Sequence, residues 1–290
     1  MCTLRLVTGE EIEDTFTLAG DLPVRRLGYG TAQLTGPGYW GPRGDARDAV
    51  AVLRRAVERG VTLIDTADNY GPHLAEELVA EALHPYPEGL LIATKGAVVR
   101  TSDRAWHIDG RPRSLRAMCE ASLRRLRLET IGLYQLHRLD PAVPLAEQLG
   151  ALEELRAEGK IRYVGLDTVS AEQLAKALEL AEIVSVQNRY HLLDRESEPL
   201  LALCERRGIA FLPWFPLGNG VLTGHPVCAE VAAAHGATPG QVALAWLLHR
   251  SPVLCPTPGT GSLAHLEENL DAAALRLSDG ELARLSALAG

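Results

Sequence analysis

A closed (β/α)8 barrel is the fold class this 290-residue sequence predicts, on three observations. Short apolar runs alternate with longer amphipathic ones along most of the chain. The short runs do not alternate polar with apolar residues, which is how strands buried on both faces of a parallel sheet read. They number eight once a first strand near Leu27 is included, each followed by a helical stretch, and eight βα units close most naturally into a ring. A doubly wound open sheet is the rival architecture. No linker, low-complexity tract or charge block divides residues 1–290, which read as one domain.

The elements follow in order. FTLAGDLPVRRLGYGTAQL carries a turn signal, Ala19-Gly20-Asp21, between two apolar pieces, and predicts a β-hairpin leading into the strand near Leu27. The remaining strands are Val61–Asp65, Leu90–Thr94, Ile131–Leu136, Ile161–Leu166, Ile183–Gln187, Ile209–Trp214 and Val253–Pro256, all with β-branched or aliphatic cores. Ala46–Glu58 sets Ala49, Val50, Leu53 and Val57 on one helical stripe. Leu115–Leu126, Leu145–Ala157, Ala171–Leu180, Pro199–Arg207, Pro239–His249 and His265–Ala273 repeat that spacing. Ser170 before AEQL and Thr238 before Pro239 are good helix caps. Gly60, Gly159 and Gly208 end helices ahead of strands, and Ser278–Ala289 reads as an extra helix packed outside.

Composition narrows the function. With 47% hydrophobic and 23% charged residues, disorder, collagen and coiled coil are excluded for the whole chain. Twenty-nine basic against thirty-seven acidic residues leave a net charge of −8, which disfavours nucleic acid or an anionic membrane as the main partner. No apolar run reaches the roughly 18 residues that span a bilayer, and MCTLRLVTGEEIED lacks the plan of a secretory signal. Cys2, Cys119, Cys204, Cys228 and Cys255 are odd in number and contain no CxxC, so they read as small buried hydrophobes in a reducing cytoplasm. Gly28-Tyr29-Gly30 lacks the third glycine of a Rossmann fingerprint, and neither a P-loop nor HExxH is present.

In such a barrel, chemistry sits at the C-terminal ends of the strands. The second run ends at Asp65, with TADNYG continuing to Tyr70; the third leads into Lys95 and the fourth into His137. Taken singly, each has a structural reading: a rim ion pair for Asp65 and Lys95, a loop aromatic for Tyr70, an interior histidine for His137. Together, an acid, a phenol, an amine and an imidazole converge on one rim. A cation beside a phenol favours the phenolate, so Lys95, held by Asp65, is expected to lower the pKa of Tyr70 from its usual value near 10. Tyr70 would then give a proton to a carbonyl oxygen, with His137 donating a hydrogen bond to the same atom. No good nucleophile or metal-ligand set accompanies them, so the hydride must come from a cofactor.

These residues carry a resemblance. GVTLIDTADNYG with Tyr70, ATKG with Lys95 and LYQLHR with His137 are similar to the aldo-keto reductase family, as are LGYGTAQL, GKIRYVGL, VQNRY, PLGNGVLTG, QVALAWLLHR and PGTGSLAHLEEN. The likeness runs from about Leu27 to Leu277, and LGYGTAQLTGPGYWG and DNYGPH resemble its pyridoxal reductase branch most. It implies a (β/α)8 barrel that binds extended NADPH, with Asp65, Tyr70, Lys95 and His137 as the catalytic four and Tyr70 as general acid. Gly30 and Thr31, together with Asp65, are implied as cofactor contacts, Gln187 as the partner of the nicotinamide amide, and Trp214 as the ring stacked on the nicotinamide. Pro216, Leu217, Gly218 and Gly220 are implied at the pyrophosphate. Gly259, Thr260, Gly261, Ser262, His265, Glu268 and Asn269 are implied around the adenosine.

Two departures from the family pattern stand out. Asp167-Thr168 replaces the usual Ser-Asn beside the nicotinamide amide and adds a negative charge there. Gly259 and Gly261 are bare where Arg or Lys often meets the 2′-phosphate, leaving His265 as the cation of that segment, so NADPH is expected with NADH as the alternative. Tyr39 and Trp40 after the first strand, and Trp106 and His107 after Lys95, are expected to wall a site for a flat or apolar small-molecule carbonyl compound. Pyridoxal is the named candidate. A specialised-metabolism ketone or imine reductase, or a dehydrogenase of the same family, and a cofactor-holding redox sensor with little turnover are the alternatives. The oligomeric state is not legible.

Overall fold

The computed structural model describes residues 14–289; the opening segment, with Cys2, and the last residue lie outside the described residues. The predicted hairpin is formed by antiparallel β1 (Thr15–Leu18) and β2 (Leu22–Arg25). Its turn places Ala19 and Gly20 in the left-handed region at φ of 51° and 79°. Leu18 and Val24 are buried from its inner face against Leu63, Leu91, Leu133 and Leu212, so the hairpin caps the interior of the strand ring.

Seven parallel strands follow in one curled sheet. Their neighbour order, from one end, is β11 (Ala210–Trp214), β10 (Ile183–Arg189), β9 (Ile161–Asp167), β8 (Ile131–Leu136), β5 (Leu91–Gly96), β4 (Leu63–Asp65) and β3 (Tyr29–Gly30). The register brings Lys95 opposite Gln135, Gln135 opposite Gly165, and Asp167 opposite Gln187. The predicted eighth strand closes the ring in irregular form. Phe211 donates its backbone N–H to Val253 O at 2.8 Å and accepts from Cys255 N at 2.8 Å, while Gly28 N donates to Pro256 O at 3.0 Å. Pro256 and Pro258 have no N–H to give, so this segment bonds to both neighbours without forming a regular ladder. Gly259 and Gly30 cross where a Cβ on Gly259 would lie 2.6 Å from the Gly30 carbonyl oxygen, so only glycine fits there.

Around the ring lie α1 (Ala46–Glu58), α2 (Leu74–Leu83), α3 (Pro112–Leu126), α4 (Leu145–Ala157), α5 (Ala171–Leu178), α6 (Glu198–Arg207), α7 (Pro226–His235), α8 (Pro239–Arg250), α9 (Leu263–Asp271) and α10 (Asp279–Ser286). Ser170 and Thr238 each form a full capping box, with Gln173 and Gln241. Cys119, Cys204, Cys228 and Cys255 are free and buried, as small core residues would be. α2 and α7 were not legible as stripes. α2 buries seven of its ten residues, including Glu76, which takes bonds from Thr94 and Arg125. α7 is alanine-rich, with little contrast between its faces. A short exposed hairpin, β6 (Val98–Arg100) with β7 (Trp106–Ile108), projects after β5 and also escaped the sequence reading.

Candidate active site

Asp65 closes β4 and Lys95 lies near the end of its neighbour β5, so the parallel register sets their side chains together inside the ring. Lys95 is fully buried and sends its Nζ to both oxygens of Asp65 at 2.8 Å each and to Thr66 O at 2.9 Å. Gln135 Nε2 and Gln187 Nε2 donate to the two Asp65 oxygens at 3.3 and 3.1 Å. Two charges out of water need this kind of full satisfaction to be tolerated. Gln135 was missed because it sits inside an apolar strand run, where nothing distinguishes it from a core polar residue.

Tyr70 stands on the loop after β4, which is laced to the first rim loop by Gly41 N to Gly71 O at 2.9 Å and Gly71 N to Tyr39 O at 3.0 Å. Its ring stacks on Tyr39 with centroids 5.7 Å apart, and Lys95 Nζ lies 5.3 Å from the ring centroid. The phenol and the amine therefore share one place, but the expected acidification of the phenol does not follow. All three N–H bonds of Lys95 go to Asp65 and Thr66, leaving none for the hydroxyl. Burial, with Asp65 and Asp167 nearby, pushes Tyr70 well above the ordinary tyrosine value. Tyr70 is thus a protonated phenol at neutral pH, a donor.

His137 follows β8 and is fixed by its backbone N–H to Gly96 O at 2.9 Å. Its ring meets the Tyr70 ring edge-on at 5.9 Å. Burial and the charges of Lys95 and Arg138 hold it well below the usual histidine value, so it is neutral. Nδ1 has no partner among the described residues, and Nε2 lies 3.8 Å from Asp167 Oδ2, beyond hydrogen-bond range.

The negative charge expected at Asp167 is present but paired. Arg138 Nη1 donates to Asp167 Oδ1 at 2.9 Å, and Thr168 Oγ1 donates to the same oxygen at 2.6 Å. Thr168 holds a φ of 55°, which is costly for a β-branched residue. Burial still dominates and pushes the Asp167 carboxyl up to about 6. A raised carboxyl favours the folded state while protonated. Its contribution is therefore complete below the ordinary aspartate range and is lost as pH rises through about 6, an effect on the order of 3 kcal/mol. Denaturant titrations from pH 4 to pH 7 should show wild-type stability falling relative to Asp167→Asn over that interval. Parallel curves would refute the burial-raised carboxyl described here.

These groups line one end of a cavity of about 600 Å³. Asp65, Tyr70, His137, Gln187, Trp214, Pro216, Leu217, Gly220, Gly30, Gly259 and Asp167 face it, as do Tyr39 and Trp106. Lys95 lies beneath Asp65, and Thr31 is buried behind the wall with its hydroxyl on Thr66 at 2.8 Å. Thr168 and Gly218 stand beside the cavity without lining it, and Gly218 packs on His191. Thr260, Gly261, Ser262, His265, Glu268 and Asn269 run from the rim into α9: Ser262 caps the helix on His265 N, Glu268 accepts from Thr238, and His265 is exposed. Two expected wall residues are not walls. Trp40 is covered by the Arg100 and Arg104 guanidiniums, and all three residues of β7 are exposed, with Trp106 reaching the cavity and His107 not. Trp106 is itself braced by Arg100 at 4.1 Å.

The residues present fit a nicotinamide. Gln187 gives its N–H to Asp65, which leaves its buried Oε1 without a partner, and the Trp214 ring faces the same space. An amide N–H and an aromatic face would satisfy both. A strand ring closed on itself places this cavity where barrel enzymes hold their active sites, and the unpartnered Gln187 oxygen beside the Trp214 ring fits it for an NAD(P)H-dependent oxidoreductase. The chain belongs to the aldo/keto reductase family, whose profile spans residues 26–289. It is 43% identical over 267 residues, 92% of this chain and 87% of the other, to an uncharacterized oxidoreductase of Schizosaccharomyces pombe. It is 41% identical over 281 residues, 95% of this chain and 98% of the other, to pyridoxine 4-dehydrogenase of Escherichia coli. An aldo-keto reductase from Klebsiella pneumoniae, solved in complex with NADPH, superposes with a TM-score of 0.81 at 29% identity over 95% of this chain and 94% of the other. Members of this family act on small-molecule carbonyl compounds. Among the described residues no helix is long and apolar enough to cross a membrane.

Proposed function

We propose that this protein reduces a small aldehyde or ketone with NADPH, with Tyr70 as general acid, and that pyridoxal is the first substrate to try. The observation that carries the reading is the placement of a protonated phenol and a neutral imidazole, 5.9 Å apart between ring centroids, at the end of the cavity where Gln187 Oε1 lacks a partner. The cofactor, when bound, supplies the hydride. The chain's own residues do the rest. Gln187 and Asp167 hold the amide, with Thr168 bonded to Asp167 from beside the cavity, Trp214 supplies a face for the ring, and Asp65 is itself held by Lys95 and two glutamines. Tyr70 donates its proton to the carbonyl oxygen, and His137 donates a hydrogen bond to that oxygen as charge develops on it. The neighbouring Arg138 charge then favours the negative charge left on the phenol.

NADPH is favoured over NADH by a residue that spacing alone did not reveal. A Cβ on the bare Gly261 would stand 3.8 Å from Arg43 Cδ, so a cation from the first rim loop lies beside the segment expected to receive the 2′-phosphate. His265 adds a second group there. Pyridoxal is favoured by the aromatic wall of Tyr39, Trp106 and Trp214 and by the 41% identity to the pyridoxine 4-dehydrogenase. The buried, unpaired cysteines fit a reducing cytoplasm. The experiment is NADPH oxidation followed at steady state with pyridoxal and a panel of aldehydes. Turnover with pyridoxal among the preferred substrates is expected. Tight NADPH retention with no turnover on any aldehyde would instead identify a redox sensor.

A further inference from the structure

Four charged side chains gather at the carbonyl end of the cavity, and one of them is only half used. Lys95 gives every N–H to Asp65 and Thr66 and lies below the surface of the cavity. Arg138 lines the cavity, its side chain is 37% exposed, and it works through a single nitrogen: Nη1 donates to His137 O at 2.5 Å and to Asp167 Oδ1 at 2.9 Å. A guanidinium has five N–H bonds in a planar fork. Those on Nε and Nη2 of Arg138 bond to no described residue. Among the described residues that line the cavity, Arg138 is the only lysine or arginine.

Its position relative to the proposed proton donors sets the chemistry it can read. Asp167 lies between Arg138 and His137, with Oδ1 on the guanidinium and Oδ2 3.8 Å from His137 Nε2. A carbonyl oxygen held by His137 and Tyr70 is therefore separated from the guanidinium by the Asp167 carboxylate and its contacts on either side. Only a second oxygen a few bonds from the carbonyl can meet the guanidinium at the same time. The two carboxylates at this end are each matched by a cation, so the unspent donors favour an oxygen that carries charge. The ring walls formed by Tyr39, Trp106 and Trp214 favour a flat skeleton between the two oxygens.

We propose that Arg138 recognises an ionised oxygen adjacent to the carbonyl under reduction, so that the preferred substrates are aromatic aldehydes with an ionised hydroxyl ortho to the aldehyde. The inference rests on the carbonyl-reductase reading above. Pyridoxal, with a ring hydroxyl beside its aldehyde, falls in this class.

The test compares nitrosalicylaldehyde, whose ortho hydroxyl is ionised at neutral pH, with its O-methyl ether, using NADPH oxidation by the intact protein. Wild type is expected to prefer the ionised aldehyde in kcat/KM by tenfold to a hundredfold, on the order of one charge-assisted hydrogen bond. Arg138→Met should bring that ratio close to one, and Arg138→Lys, which keeps the charge and loses the fork, should fall between. The Lys variant and the wild-type ratio decide the matter even if the Met variant does not fold. A wild-type ratio near one, or a ratio that survives Arg138→Met, overturns the proposal. So does a weakening of NADPH binding by Arg138→Met, measured by fluorescence, that matches the loss of preference, since it would assign the guanidinium to the cofactor. Turnover of both aldehydes without preference leaves the reductase reading standing and removes this inference, whereas no turnover of these or any other aldehyde removes both.

Discussion

Tyr70→Phe is expected to lower kcat for carbonyl reduction by about 10²–10⁴-fold, the usual contribution of a positioned proton donor, while NADPH still binds. The substitution removes one oxygen and keeps the ring that stacks on Tyr39 at 5.7 Å and meets His137 edge-on, so the cavity wall is preserved. His137 cannot replace the lost donor as an acid, because burial and two neighbouring cations keep it neutral rather than protonated. Because the Tyr70 phenol is pushed up, the reduction rate should show no loss of the protonated phenol as pH rises through neutrality. Stopped-flow NADPH oxidation, with cofactor binding measured separately by fluorescence, checks both statements. A variant that turns over at the wild-type rate would remove Tyr70 from the chemistry.

Lys95→Met is expected to have the largest effect on stability. It leaves Asp65 buried with two glutamine N–H bonds and no cation, a loss of about 3–5 kcal/mol for breaking a buried ion pair from one side. For a chain of this size that corresponds to a fall in Tm of order 10 °C. Reduction should fall along with stability. The double variant Asp65→Leu with Lys95→Met should recover much of the Tm without recovering activity, because a well-packed apolar pair can replace a buried ionic one in stability alone. Thermal melts of the three variants separate the two contributions. A single variant as stable as wild type would mean that the pair carries none of the local order assigned to it.

The parts of this molecule that were legible from sequence share a physical reason. In a parallel sheet buried on both faces, strands read as unbroken apolar runs, so a charged or polar residue at the end of a run stands out. Asp65, Lys95 and His137 were visible in that way, and the hairpin turn at Ala19-Gly20 and the caps at Ser170 and Thr238 were visible through local backbone chemistry. What escaped depends on partners distant in sequence. Arg138 gains its position from Asp167, twenty-nine residues on, and Gln135 from a neighbour two strands away. The raised, rather than lowered, Tyr70 follows from burial and from the nearby carboxylates of Asp65 and Asp167, which spacing does not encode. The closing strand was found by its apolar run, but its two prolines made it an irregular seam. Trp106 and His107 were read as a pair, yet a strand turns adjacent residues to opposite sides and only Trp106 reaches the cavity.

The measurement that bears most directly on the proposed reaction follows a label. NADPH deuterated at its transferable position, turned over with pyridoxal or another reduced aldehyde in ordinary water, should deliver its deuterium to the carbinol carbon of the alcohol, with the hydroxyl proton drawn from solvent through Tyr70. Mass spectrometry of the product reads this in one experiment. An alcohol whose carbinol carbon carries hydrogen from water instead of deuterium from the cofactor would contradict the division of labour between cofactor and phenol on which the function rests.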